Sequence, residues 1–154
     1  MAASIKMFSK FPLNLLGAKL CDMDSETKIL CALYTDAAAP NQETMNDKVD
    51  VDATMTEVAD STSNGNGYTT GGKALTTTAI TEATRVTKYD AVDVAWTVAT
   101  ITARYAVIYD DTEAAEANQP VICYIDFGEN KSSENGTFQL TWNASGIFSI
   151  TVAA

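Results

Sequence analysis

Between Ala91 and Asp111 the chain runs AVDVAWTVATITARYAVIYDD, and no other stretch limits the possible folds so tightly. Val92, Val94, Trp96 and Val98 alternate with small or polar residues. The alternation then changes phase, to Ile101, Ala103, Tyr105, Val107 and Tyr109. β-Branched and aromatic side chains at every second position suit a pleated strand with one face on a core, and they oppose a helix, whose period is 3.6. A period-2 pattern that slips by one residue implies a bulge or tight bend near Ala99–Thr100.

The segments around it carry the same signal. ALTTTAITEATRVTK (74–88) holds six threonines plus Ile80 and Val86, the density expected of a half-buried strand. PVICYIDFG (120–128) is nearly continuous in apolar residues, as in a central strand covered on both faces. TFQLTW (137–142) sets Phe138, Leu140 and Trp142 on one face, NASG makes a turn, and IFSITVA follows, which predicts a C-terminal hairpin. Before residue 65 the material is mixed. An apolar stretch lies around Phe11 to Leu20, KILCALYTD (28–36) is a strand candidate, and AAAPNQ is a polar loop. NQETMNDKV (41–49) is a short helix candidate capped by Asn41, with Glu43 and Asp47 complementing its positive end or facing water. The polar STSNGNG stretch reads as disordered.

These patterns predict a mainly β chain: an antiparallel β-sandwich or jelly-roll-like domain over 25–154, with one short helix and an N-terminal arm over 1–24. Trp96, Tyr105, Ile125, Phe127, Phe138 and Trp142 are the expected common core.

GYTTGGKA (67–74) matches the G-x-x-x-x-G-K part of a phosphate-binding loop, but Ala74 stands where a metal-binding hydroxyl is needed. Polar residues precede it and β-branched residues follow, so neither the strand nor the helix of such a loop is present. The glycines are instead expected to allow positive φ where a loop enters the sheet, with the Tyr68 ring tucked onto the core. DVDAT (50–54) and YDD…EAAE (109–116) lack the twelve-residue calcium-loop pattern and read as solvated loop carboxylates. GENKSSENGT (128–137) reads as either a flexible surface loop or a contact loop. Sequons begin at Asn130, Asn135 and Asn143, and without a secretory signal they read as accidents of a loop rich in Asn, Ser and Thr. Cys21, Cys31 and Cys123 lie in apolar settings without a C-x-x-C pair and read as buried free thiols.

The chain has no histidine, which removes the commonest general base and metal ligand. No signature places another base beside a Ser, Thr or Cys nucleophile, and no one pair among the twenty acids stands out. The expectation is no catalytic residue, no cofactor and no metal. A formal net charge of −10 argues against nucleic acid, whose phosphates need Lys and Arg. No apolar run reaches the length of a membrane span, and Pro12 and Asn14 interrupt the only signal-like stretch, so the mature chain is read as starting near Met1.

GNGYTTGGKAL, VAWTVATITARYAVIYDDT and VICYIDFGENKSSENGTFQLTWNASGIFSI resemble a family of small virion structural proteins of tailed bacteriophages. The shared features are a G-x-G-Y-x-x-G-G loop, a W-x-x-A-T-I-T-A-R-Y-A-V-x-Y strand and a Y-I-D-F-G…NGTF…W…G-I pair, over roughly residues 28 to 152. The resemblance implies a virion component, assembled in the host cytoplasm, with no enzymatic role. A capsid decoration or cement protein that binds the major capsid protein or other virion subunits, homo-oligomeric on the particle, is the leading expectation. A tail, neck or fibre-base component is the alternative. A carbohydrate-binding β-sandwich module is a third reading on fold alone, and it is weakened by the placing of both tryptophans in core-facing strand positions. The N-terminal arm gathers Phe8, Phe11, Leu13, Leu15 and Leu16 with Lys6, Lys10 and Lys19 on an otherwise acidic chain. It either covers the protein's own core or reaches a neighbouring subunit or the shell.

Overall fold

A computed structural model describes residues 3–18, 21–24, 27–60 and 65–153. Two strands organise it: β6 (Val94–Asp110) and β7 (Val121–Leu140), paired antiparallel along nearly their whole lengths. β1 (Ser4–Met7) pairs with the outer side of β7, β2 (Ile29–Tyr34) with β6, and β3 (Lys73–Ala74) with β2, giving the order β1-β7-β6-β2-β3. A second antiparallel sheet holds β4 (Ala79–Ala83), β5 (Val86–Asp90) and β8 (Phe148–Thr151) in that order. The helical elements are α1 (Phe11–Leu13), running on into a π-helical turn Asn14–Ala18, then α2 (Lys48–Thr54) and a 3-10 turn Glu116–Asn118. The expectation of a mainly β, two-sheet antiparallel fold holds.

The large sheet is buried on both faces. Ile29, Cys31 and Leu33 of β2 point to a core shared with Tyr89 and Phe148 of the small sheet. Ala32 and Tyr34 point the other way, to a core that Val51 of α2, Met45, Met55 and Phe8 close off. Double burial explains the unbroken apolar run Val121–Ile125 in β7, where every residue is sealed from solvent.

The phase shift in β6 is real and there is more than one. Trp96 pairs with Phe138 and Ala99 with Gly136, so Thr97 and Val98 stand against the single residue Thr137. That bulge puts Val98 at φ 52° and 70 % exposed, and it turns Ala99 inward. Farther along, Ala103 pairs with Lys131 and Tyr105 with Asp126, so Arg104 alone faces 127–130 of β7. This second irregularity sends Ile101 and Ala103 to one core and Tyr105, Val107 and Tyr109 to the other. Of the six residues expected in a common core, Trp96, Ile125, Phe127 and Phe138 share one. Tyr105 lies across the sheet, and Trp142 is only half-buried.

Several local expectations are corrected. The stretch 74–88 is not one strand: it forms β3 and the β4–β5 hairpin, whose turn residues Thr84 and Arg85 take φ of 52° and 67°. Such a two-residue turn with both φ positive matches the strand twist, and the Arg85 N–H bonds Glu82 Oε1 at 3.0 Å to hold it. GENKSSENGT is strand, not loop, bulged through Gly128 at φ 78°. The C-terminal hairpin does not form: TFQL ends β7, and β8 joins β5 instead. Gly146, at φ 88°, makes this crossing possible, since a Cβ there would meet Lys88 and the Tyr89 carbonyl. The helix begins one to two turns later than expected. Gln42 donates to the Met7 carbonyl at 2.7 Å and accepts from Ser9 N–H at 3.0 Å, which ties that segment to the N-terminus. Asp47 then caps α2, accepting from Asp50 N–H at 3.2 Å.

Candidate functional site

The N-terminal candidates divide between inside and outside. β1 extends the sheet through Ser4↔Asp126 to Met7↔Cys123. Phe8 then enters one core, its ring 5.5 Å from Tyr124, and Phe11 enters the other, edge-on to Phe148 at 5.5 Å. Leu15, partly buried, packs against the same core as Phe11. Lys6 and Lys10 face solvent, and Leu13 and Leu16 are 62 % and 86 % exposed. Leu13 leans across Gly17, where a Cβ would come within 3.6 Å of its Cδ1. Lys19 lies outside the described residues. The segment is thus pinned by Phe8, Phe11 and Leu15, and it turns a basic and apolar strip outward. Lys6 and Lys10 make no ion pair among the described residues, whereas Lys48, Lys88, Lys131 and Arg104 each do.

The densest polar cluster is internal, and sequence reasoning missed it. Lys48, 3 % exposed, bonds Asp52 at 2.5 Å and Glu57 at 3.3 Å. Its ammonium lies 5.7 Å from the Tyr34 ring centroid and 5.4 Å from that of Tyr109. Tyr34 donates to Asp52 Oδ1 at 2.7 Å, and Tyr68 donates to Glu57 Oε1 at 2.6 Å while accepting the Leu33 N–H at 2.9 Å. Burial, and then the Glu57 charge, pushes the Tyr34 and Tyr68 phenols far above their ordinary range. These phenols stay protonated near neutral pH and act as hydrogen-bond donors. Lys48-x-x-x-Asp52 at i,i+4 was the legible part of the signal. Glu57, three residues beyond the helix, carried none.

This cluster also explains the glycine loop. The Gly71 N–H, which a phosphate would need, donates to Glu57 Oε1 at 2.6 Å, and the Gly71 carbonyl accepts from Tyr109 at 2.8 Å. The Gly72 N–H bonds the Thr69 carbonyl at 2.9 Å, and Lys73 Nζ bonds the Ala95 carbonyl at 2.6 Å. Gly67, Gly71 and Gly72 all have positive φ, and Tyr68 is fully buried, as the sequence predicted. The loop cradles a carboxylate of its own chain.

The acidic stretches divide: Glu113 and Glu116 face solvent as expected, whereas Asp50, Asp52 and Asp110 are engaged by the chain itself. Asp50 accepts the Asn46 N–H at 2.9 Å, and Asp110 is fully buried, accepting from Asp22 N–H and Thr112 N–H at 2.8 Å each. Among the described residues no three Cys, Asp or Glu side chains are grouped to hold a metal. The three cysteines are free and buried, and burial pushes the Cys21 and Cys31 thiols up to about 12 and Cys123 higher still. None is a ready nucleophile.

On the outer surface an apolar groove of about 640 Å³ opens beside β1 and the end of β7, with Ile5, Phe127, Phe138 and Trp142 in its lining. Compared with models of protein families, with curated proteins and with solved structures, the chain matches none.

Proposed function

We propose that this chain is a non-enzymatic structural protein of a tailed-phage particle, a decoration or cement protein that seats on the major capsid protein and stabilises the head. The observation that carries the reading is the outward strip Lys6, Lys10, Leu13 and Leu16, held on a strand and turn that are anchored in the core. Residues 1–21 hold three lysines and no acid, on a chain whose net charge is −10. An apolar, basic strip on an acidic body suits a contact with acidic protein surface. Repetition over many copies lets such a small contact hold. The phage assignment itself rests on the resemblance of the three sequence blocks. Those blocks form the glycine loop, β6, β7 and most of β8, and the strip proposed as the contact lies outside them in the sequence.

The test is binding of the full chain to phage shells that lack it, compared with Leu16→Asp and Lys10→Glu variants. Wild-type binding with loss in both variants is expected. Undiminished binding by the variants overturns the contact strip, and failure of the wild type to bind any shell, with density on a tail or neck instead, overturns the decoration reading.

A further inference from the structure

The groove beside Trp142 has the volume of a small-ligand site, whose usual range is about 300–1,000 Å³. Three features of it select a ligand.

First, its aromatic wall is fixed in place. Trp142 is half-buried, unlike Trp96, which is sealed in the core. The Trp142 indole N–H donates to the Val92 carbonyl at 3.1 Å, and its backbone N–H donates to Asp93 Oδ1 at 2.9 Å. The other oxygen of Asp93 accepts from Gln139 Nε2 at 3.1 Å, which leaves the Gln139 carbonyl oxygen for a ligand hydroxyl. One carboxylate therefore positions both an aromatic plane and an amide before any ligand arrives.

Second, among the described residues the groove lining contains no carboxylate, although the chain carries twenty acids. Its one charged member among the described residues, Lys131, is already paired with Glu129 at 2.6 Å. Thr137 and Gln139 supply uncharged hydrogen-bonding groups. A neutral, hydroxyl-rich ligand fits this chemistry, and a charged one gains no fresh partner.

Third, the neighbouring edge of β7 is poorly made for adding a peptide strand. Residues 127–130 bulge away from the ladder, and Gly128 and Asn135 take φ of 78° and 45°. Strand addition needs a regular row of N–H and C=O groups, and bulges of this kind protect an edge from it.

We infer that this groove binds a neutral oligosaccharide, with the apolar face of a sugar ring against Trp142 and its hydroxyls bonded to Gln139 and Thr137. The site is independent of the particle contact at Leu13 and Leu16, so the two readings fail separately. The experiment is a neutral-oligosaccharide array probed with the full chain, followed by calorimetry of the hits at about millimolar ligand. At least one neutral oligosaccharide series is expected to bind and to shift tryptophan emission. Trp142→Ala should weaken it about tenfold or more, as for a buried aromatic anchor. Gln139→Ala, at the surface, should weaken it several-fold while leaving the fold intact, and it stands as the deciding variant if Trp142→Ala does not fold. Absence of neutral binders, binding only of acidic sugars or peptides, or hits unchanged by Gln139→Ala would each overturn the inference. Shell binding by the same variants should be unaltered.

Discussion

Tyr68 donates a 2.6 Å hydrogen bond to Glu57 while taking the Leu33 N–H at 2.9 Å, so one phenol joins the glycine loop, the segment after α2 and strand β2. Tyr68→Phe leaves the Leu33 N–H without its acceptor and Glu57 short of a donor, and it should cost about 1–3 kcal/mol. Glu57→Ala should cost more, about 3–5 kcal/mol, because buried Lys48, the Tyr68 hydroxyl and the Gly71 N–H all lose a partner. Urea unfolding of the two variants checks the order. A milder effect of Glu57→Ala would mean that Asp52 alone satisfies the lysine.

The same bonds predict that nucleotide finds no site at 67–73. Calorimetry with ATP and magnesium should give no heat of binding, because the Gly71 N–H and Lys73 Nζ are already engaged. Lys73→Ala should leave the fold unchanged, since it removes a surface contact to one carbonyl. Micromolar binding that this substitution abolishes would refute the account.

Stability should be lost on the alkaline side. Thiols in an unfolded chain ionise near 9, whereas burial holds Cys21 and Cys31 protonated to about 12 in the fold. Their contribution is therefore complete below pH 9 and disappears as pH rises from 9 towards 12. Each thiol adds a slope of up to about 1.4 kcal/mol per pH unit in that window. The raised phenols of Tyr34, Tyr68 and Tyr109 act in the same direction at higher pH. Denaturant midpoints measured from pH 8 to 10.5 check the sign, and a thiol reagent at pH 8 should label the cysteines only on unfolding.

Val98 and Gly67 meet back to back at the first bulge of β6. A Cβ on Gly67 would lie 2.8 Å from the Val98 carbonyl oxygen, and Gly67 has φ 77°. Val98 itself is an exposed β-branched residue held at φ 52°. Val98→Gly should therefore stabilise by about 1 kcal/mol through relief of left-handed strain. Gly67→Ala should destabilise by more than about 1 kcal/mol, with both clash and strain acting. Thermal melts of the two variants should move in opposite directions.

The bulges mark where the sequence stopped being legible. Alternation located β6 and the slip near Ala99, because a one-residue slip is written into the apolar pattern itself. The second slip at Arg104 left no trace: both faces of the sheet are buried there, so Tyr105 and Ala106 are equally apolar and equally covered. The β4–β5 turn was hidden for a related reason, since Thr84 and Arg85 take positive φ without glycine or asparagine to announce it. Helix α2 starts later than the local pattern suggests because Gln42 bonds Met7 and Ser9, far away in sequence, which ties that segment to the N-terminus. The candidate groove was unreadable in principle. Trp142 has the same alternating position as Trp96, and only the departure of the chain from β7 after Leu140 leaves its ring half outside the core.

The N-terminal segment combines two roles, and point variants separate them where truncation does not. Removing residues 1–23 takes away the β1 pairing with β7 together with Phe8 and Phe11, which sit in different cores. Each phenylalanine truncated to alanine should cost about 3–5 kcal/mol, so the shortened chain is expected to unfold and says nothing about contact. Phe11→Ala is the core probe: it removes the ring against Phe148 and should lower the denaturant midpoint sharply. Leu16→Asp is the contact probe: at 86 % exposure the side chain touches little of its own fold, and the midpoint should shift by less than about 0.5 kcal/mol. If the outward strip meets an acidic partner, the same aspartate adds like charge and an unpaired polar group to that interface, so binding falls while stability does not. Lys10→Glu should act in the same sense, with a loss that deepens at low salt, where charges a few ångströms apart are least screened. A stability loss from Leu16→Asp as large as that from Phe11→Ala would place Leu16 in the protein's own core and remove the strip as a contact surface.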